Sequence, residues 1–451
     1  MQSKFAFHFH IILFVFFFGY LSGAVRAQGN TDYTYKNLEA YRVFLERTKN
    51  ATEDRLEKKI RKDYDKIIGE KNTDLIKRLS QKGFLFDSTA YPYLNRTFNQ
   101  ILERNSLDKN QFHFFIDRSS DVNAYSYEDG TIVCDLGLVT TMENESQLAM
   151  ALCHELGHYL LNHVNNSIIK HLEKYNSPEF LAQIKEIKKQ GYDTKDKLEA
   201  LLMKDAFDRR YHSRDQERAA DSLGIVLYRN TGYDGKNISH MFDLLDAADE
   251  TTAVCTIQNF FRQESITINE DMLKPAKRMS FGAAAKKEFI DSLKSHPDCS
   301  QRKMAMQFCF NKNPKHGADF LVGNEQRLSA IKKIALFDEA TYSKENNNLG
   351  FYFYQLIQNN SLFPSDRHVK SEIFDTMVSI CSRQKSHTLY AIMSNQYISK
   401  NDNDEYNKLL KLLDNLSLKE MTQITASYYQ NNKSLIIASA EAINNLNKLK
   451  N

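Results

Sequence analysis

The chain lacks an excess of charge of either sign. Sixty Lys and Arg stand against 57 Asp and Glu, a formal net charge of +3. A global drive toward nucleic acid is therefore excluded, and clusters such as Lys185, Lys188 and Lys189 read as the solvated face of a helix. The six cysteines (Cys134, Cys153, Cys255, Cys299, Cys309 and Cys381) include no C-x-x-C pair, which removes redox catalysis. Their spacing fixes no disulfide framework, although Cys299 and Cys309 are near enough in sequence to pair after export. Beyond residue 21 there is no apolar run long enough to span a bilayer. A clear 34-residue helical repeat is also missing, so a plain helical bundle is the expectation for the C-terminal third, with degenerate repeats as the alternative.

What is present begins with a leader. Lys4 precedes the apolar run Phe5 to Leu21, and Ala24-Val25-Arg26-Ala27 follows, the pattern of a secretory signal peptide cut after Ala27. An uncleaved N-terminal anchor is the alternative; with no cysteine after the run, a lipid anchor is not expected. A length of 451 residues with 42% hydrophobic side chains predicts two or three folded units.

The chemistry is concentrated in His154-Glu155-Leu156-Gly157-His158, inside a stretch from Ser146 to His163 with helical periodicity. At i and i+4 the two imidazoles share one helix face and can hold one Zn²⁺, and Glu155 beside them can serve as general base toward water. Leu148, Met150, Ala151, Leu152, Leu156, Leu160 and Leu161 surround the polar trio, which would be buried without partners unless something coordinates it. Cys153 adjoins His154 but points about 100° away on a helix, so it reads as a structural buried thiol.

A second helix start, Ser213 to Gly224, places Glu217 and Asp221 on one face, with Ala219, Ala220 and Gly224 small enough for close helix packing. Glu217 can complete a His₂Glu ligand set, and Asp221 can accept the second N–H of a ligand histidine. The bland alternative for this face is solvated charge, given Arg214 and Arg218.

Five ordered segments, Asp121-Val-Asn-Ala-Tyr125, Gly130 to Leu138, the H-E-L-G-H run, Ser213 to Asp221, and His296-Pro to Arg302, resemble metallopeptidase family forty-eight between Phe86 and Arg302. Glu217 lies about 60 residues beyond His158, unlike the short spacing of thermolysin-like enzymes. Without membrane helices the chain is most similar to the soluble, periplasmic BepA-like branch. The resemblance implies Glu217 as third ligand with Asp221 behind the site, Asn123 at the cleft, and His296 and Arg302 near the metal. His296 would either donate to the oxyanion or fill the open coordination position. It further implies that the strand around Thr131 to Asp135 lines the cleft and takes an extended substrate, although Tyr125-Ser-Tyr-Glu-Asp-Gly130 departs from the family pattern there.

The remaining sequence is organised around that unit. Residues 28–85 are charged, with Leu56, Ile60, Tyr64 and Ile67 at helical spacing, predicting amphipathic helices that pack on the catalytic unit or on a partner. Leu94, Phe98, Ile101 and Leu102 mark a helix, and Phe112 to Asp117 and Thr131 to Asp135 mark short strands, with His113 a structural histidine. Asn165 to Arg210 reads as a lysine-rich helical lid or flank over the cleft, anchored by Ile168, Ile169, Leu172, Leu198, Leu201 and Leu202. Helical blocks follow at Leu328 to Leu336, Phe351 to Ile357, Ile373 to Cys381, Tyr406 to Leu416 and Leu435 to Leu449, with the aromatics at 351–354 as core.

The expected architecture is mainly α with a small β-sheet (α+β). A leader (1–27) and a charged helical segment (28–85) precede a zincin-type metallopeptidase domain (86–310), and a helical interaction domain (311–451) follows it. The expected function is zinc-dependent hydrolysis of peptide bonds in unfolded or misassembled envelope proteins by an exported, periplasmic enzyme with one zinc per chain. An envelope-protein partner for the C-terminal helices, no nucleic acid and no membrane span after leader cleavage complete the expectation. The alternative from another class is a periplasmic chaperone or assembly factor with latent protease activity.

Overall fold

The computed structural model describes residues 32–189, 214–249, 253–273, 299–312, 317–389, 404–438 and 440–450. The leader, the stretch carrying Leu198, Leu201 and Leu202, and His296 lie outside the described residues. Among the described residues no helix is long and apolar enough to cross a membrane.

Helices α1 (Leu38–Glu53) and α2 (Lys58–Ser80) form a charged hairpin with a narrow apolar seam. That seam, Tyr41, Phe44, Leu45, Leu75, Ile76 and Leu79, packs on Phe115 and Val133 of the sheet. The amphipathic N-terminal segment thus binds its own catalytic unit. The sheet comprises β1 (His113–Asp117), β2 (Ala124–Ser126) and β3 (Thr131–Asp135) in the order β1-β3-β2. β1 runs parallel and β2 antiparallel to β3. Side chains alternate faces along a strand. Phe115 and Val133 accordingly meet the α1–α2 hairpin, while Phe114, Ile116, Ile132 and Cys134 enter the main core with α3 (Ala90–Arg104). Gly130 closes the β2–β3 turn at φ +95°, and a Cβ there would collide with the Gln111 carbonyl. His113 sits edge-on between the rings of Tyr41 and Phe44, a structural position.

β2 is too short to show an alternating pattern, and it is the strand that the sequence does not reveal. It corrects one expectation: β3 is paired along both edges, so the strand Thr131 to Asp135 has no edge to offer a substrate, and the outer strand on that side is β2.

Helix α4 (Leu136–Thr141) leads into α5 (Glu145–Leu160), whose start is fixed twice. The Asn144 side chain accepts the Gln147 amide at 3.0 Å as N-cap. The fully buried Glu145 carboxylate accepts from the Tyr93 and Tyr233 hydroxyls and from the amides of Leu321, Val322 and Gly323. Asn162, in the left-handed region at φ 54°, turns the chain into α6 (His163–Tyr175), and α7 (Pro178–Lys189) follows. Leu172 of α6, backed by Ile168 and Ile169, packs on Ile60, Tyr64 and Ile68 of α2. The described part of the lysine-rich segment is therefore a flank tied to the N-terminal hairpin.

Helix α8 (214–231) and α9 (Ile238–Asp249) contribute to the main core, and α11 (Cys299–Lys312) packs along α9. α10 (Ile257–Gln263) does not: Ile257, Phe260 and Phe261 join a second core with Phe353, Ile373, Phe374, Leu412 and Tyr428. Conversely, α12 (Glu325–Glu345) sends Leu328, Ile331 and Ala335 into the main core. Packing thus crosses the position near 310 where the motifs end. Arg118, with no exposed side-chain surface, bridges the same joint by reaching Asp338 through Nε (2.7 Å) and Nη2 (3.1 Å), and it lies over the Tyr33 ring.

The second core is completed by α13 (Leu349–Leu362), α14 (Arg367–Lys385), α15 (Asp404–Asn415), α16 (Leu418–Asn432) and α17 (Ala440–Lys450). Tyr352, Phe353 and Tyr354 are buried there as expected. Two differences from the expected blocks have simple causes. α17 begins only at Ala440, and α16 is announced not by apolar spacing but by a Ser417–Glu420 capping box. Cys309 is a free thiol; residues 299 and 309 both lie on α11, where ten residues rise about 15 Å, beyond the span of a disulfide.

Candidate metal centre

The centre is made by two helices held unusually close. Gly157 of α5 faces Ala220 of α8, and Gly224 of α8 faces the backbone of His154. A Cβ on Gly157 would stand 2.8 Å from the Ala220 carbonyl oxygen, and one on Gly224 3.2 Å from the His154 Cα. This contact brings Glu217 under the two imidazoles.

The three ligand atoms form a compact triangle. His154 Nε2 and His158 Nε2 are 3.1 Å apart, Glu217 Oε1 is 3.2 Å from His158 Nε2, and Glu217 Oε2 is 3.4 Å from His154 Nε2. Two ligands each about 2.0–2.1 Å from one tetrahedral ion stand about 3.3 Å apart. The three edges therefore match one face of such a tetrahedron, and the donor set His154, His158 and Glu217 is the only group of that kind found among the described residues. His154 and Glu217 are buried and His158 is nearly so.

Behind the triangle each histidine is oriented through its other nitrogen. Asp221 Oδ1 lies 2.9 Å from His154 Nδ1. Arg302 of α11 donates to both Asp221 oxygens, Nε at 2.8 Å and Nη2 at 2.7 Å, so its guanidinium fixes Asp221, while Nη1 lies 3.5 Å from Glu217 Oε2. Burial raises the Asp221 pKa, but the bonds from His154 and Arg302 outweigh it and hold the carboxyl below its ordinary value. At His154 burial opposes the imidazolium, and the carboxylates of Asp221 and Glu217 prevail, pushing its pKa up to about 9. This pocket attracts positive charge, whether proton or metal ion.

The sequence reading missed the partner of His158. His163 Nδ1 stands 3.0 Å from His158 Nδ1, the atom that carries the proton once Nε2 faces a metal. His163 opens α6 immediately after the left-handed Asn162, and the spacing of five residues from His158 was the only available signal. We expect His163→Ala to weaken zinc binding by roughly 10- to 100-fold, measured by competition with a fluorescent chelator, with His163→Gln partly restoring it. Unchanged affinity in both variants would remove His163 from the site.

Glu155 is buried beside the triangle, with Oε1 3.9 Å from His154 Nε2 and Oε2 3.5 Å from the Ser126 hydroxyl of β2. Asn123, just before β2, lines the same cavity as His154 and Glu155, and its Oδ1 is buried with no hydrogen-bond partner. The structure thus brings together all the expected site residues except His296, which lies outside the described residues.

An H-E-x-x-H helix whose histidines converge with a glutamate from a later helix, beside a small sheet, defines a metallopeptidase domain of the zincin type. Residues 89–307, just under half of the chain, match the family model described as Peptidase family M48. Curated relatives agree. The beta-barrel assembly-enhancing protease of Escherichia coli O157:H7 is 25% identical over 167 residues, covering 36% of this chain and 34% of the relative. That of Escherichia coli K12 is 30% identical over 78 residues, 17% of this chain and 16% of the relative. The putative beta-barrel assembly-enhancing protease of Vibrio cholerae is 23% identical over 168 residues, 36% and 34% of the two chains. The matched stretches span about a third or less of these relatives' length.

Proposed function

We propose that the chain is a zinc-dependent endopeptidase that holds one Zn²⁺ per chain through His154, His158 and Glu217. The observation that carries the reading is the ligand triangle, whose three edges of 3.1, 3.2 and 3.4 Å suit one tetrahedral ion with a position left open. A zinc ion there supplies Lewis acidity, which lowers the pKa of water and polarises a carbonyl. The residues of the chain do the rest. Glu155 takes the proton of the attacking water on its carboxylate and passes it to the leaving amine nitrogen. Asp221, clamped by Arg302, holds the His154 ring in register, so Arg302 is a positioning residue. Asn123 offers its buried amide to the substrate backbone.

An extended segment adding along β2 would lie across α5, since β2 packs directly on that helix. Strand addition reads backbone rather than sequence, which suits unfolded or misassembled polypeptides. The relatives are named for enhancing beta-barrel assembly, which suits misassembled envelope proteins as substrates, and the leader pattern suits an exported, periplasmic enzyme. The helices around the second core are the natural place for an envelope partner. Treatment with a chelator is expected to remove cleavage of unfolded casein, and one equivalent of Zn²⁺ to restore it. Cleavage that survives complete demetallation, checked by metal analysis, would rule out the metal-dependent reading.

A further inference from the structure

Helix α2 carries three polar side chains at intervals of seven residues, Tyr64, Lys71 and Arg78, so they share one face over a rise of about 21 Å. Each is fastened to a different part of the peptidase unit. The Tyr64 hydroxyl donates to Asn165 Oδ1 of α6 at 2.9 Å. Lys71 Nζ reaches Glu128 Oε1 at 2.7 Å and the Asp129 carboxylate, both in the β2–β3 turn, and it lies over the Tyr127 ring. Arg78 donates to Asp117 at the end of β1 and to the Tyr125 hydroxyl of β2.

We infer that α2 is a strut that sets both walls of the metal centre, with Tyr64 and Lys71 as positioning residues on opposite sides of it: Tyr64 acts on the ligands through α6, and Lys71 on the substrate through β2. The inference rests on the metallopeptidase reading and deepens it. On the ligand side, α6 leaves α5 through the left-handed Asn162, so its direction depends on what it packs against. Asn165, Ile168, Ile169, Leu172 and Asn176 follow one another at helical spacing along the face that meets α2. Leu172 lies against Ile60, Tyr64 and Ile68, and Asn176 donates to Asp63 at 3.1 Å. His163 stands two residues before Asn165, about 200° round the helix. Holding Asn165 against α2 therefore keeps His163 turned the other way, toward His158, where the two Nδ1 atoms are 3.0 Å apart.

On the substrate side, Ser126 closes β2 with its hydroxyl 3.5 Å from Glu155 Oε2, and the two carboxylates held by Lys71 follow it by two and three residues. Asp129 is buried, and its Oδ1 accepts the Thr131 amide at 2.8 Å, which couples the turn to the first residue of β3. One lysine thus serves two carboxylates with little exposed surface. Without it, their repulsion and desolvation favour a turn swung out into water, and the end of β2 goes with it. A strand so displaced is a poorer edge for an extended polypeptide, while the ligand triangle on α5 and α8 stays in place.

The two residues therefore have different signatures in the full chain. Tyr64→Phe keeps the ring and removes the hydroxyl. It is expected to weaken zinc binding at least about threefold in competition with a fluorescent chelator, less than the loss of a direct histidine partner, with KM for a peptide changed less than about twofold. Lys71→Met is expected to raise KM at least about fivefold with zinc affinity changed less than about twofold, and Lys71→Arg, which keeps the charge, to recover most of that loss. Peptide binding to Glu155→Gln with and without Lys71→Met, read by fluorescence anisotropy, gives the substrate arm without turnover. Tyr64→Phe decides the ligand arm even if Lys71→Met fails to fold. A merely structural role would lower the melting temperature and move zinc affinity and KM together in both variants, and that result overturns the strut. An arm that does not move as stated overturns the inference for its residue and leaves the peptidase reading standing. If the parent chain cuts nothing, the peptidase reading fails by itself, and the zinc and anisotropy measurements still decide the strut.

Discussion

Replacing Glu155 by glutamine is expected to reduce peptide hydrolysis by about 10²- to 10⁴-fold while leaving close to one zinc per chain. The two effects separate because Glu155 is outside the ligand triangle: its nearer oxygen is 3.9 Å from His154 Nε2, and the metal-facing atoms belong to His154, His158 and Glu217. Glutamine fills the same buried volume and can still contact the Ser126 hydroxyl. Its amide has no carboxylate oxygen to receive a proton from water or return one to the amine. The measurement is kcat/KM on a peptide substrate beside metal content by mass spectrometry. Activity above about a tenth of the parent would sink the assignment of Glu155 as base.

Glu217→Ala is expected to have the opposite signature, with metal and activity lost together. Removing it deletes one corner of the triangle and leaves two histidines, too few for a stable catalytic site. Asp221→Ala should be milder, about 10- to 100-fold in zinc affinity, because it frees the His154 ring and strands the Arg302 guanidinium without removing a ligand atom. Competition titrations should rank the chains as parent, then Asp221→Ala, then Glu217→Ala. Parental affinity in Glu217→Ala would falsify the pairing of α5 with α8 as the source of the ligand set.

How much of this was legible in the sequence depends on the range of each signal. The helix carrying His154 and His158 could be read because its chemistry and its periodicity are local. Glu217 stood out less from its own segment, where a solvated charged face was an equal reading, than from the ordered motifs of the resemblance, although the small residues Ala220 and Gly224 that let α8 approach the His154 backbone are also visible in the sequence. Strand β2 was missed because three residues cannot display alternation, and with it went the fact that β3 is paired along both edges. His163 was missed because its partner is another imidazole across a left-handed turn, a contact with no compositional mark. Arg302 was placed near the metal, but the binding of its Nε and Nη2 to Asp221 is a contact between distant segments that no local pattern marks. The crossing of the two cores was invisible for the same reason: apolar spacing marks α10 and α12 as buried without saying against what.

The Arg118 bridge bears on modularity. A guanidinium with no exposed surface, donating to Asp338 of α12 from the loop after β1, joins residues more than two hundred positions apart. Breaking such a pair by removing one partner typically costs about 3–5 kcal/mol. With α12 also filling the main core and α10 donated to the second, the chain is interlaced in both directions. The C-terminal helices are consequently not a cassette that could be cut off where the peptidase motifs end. A change at this joint is felt on both sides of it, so the peptidase unit and its helical extension vary as one piece.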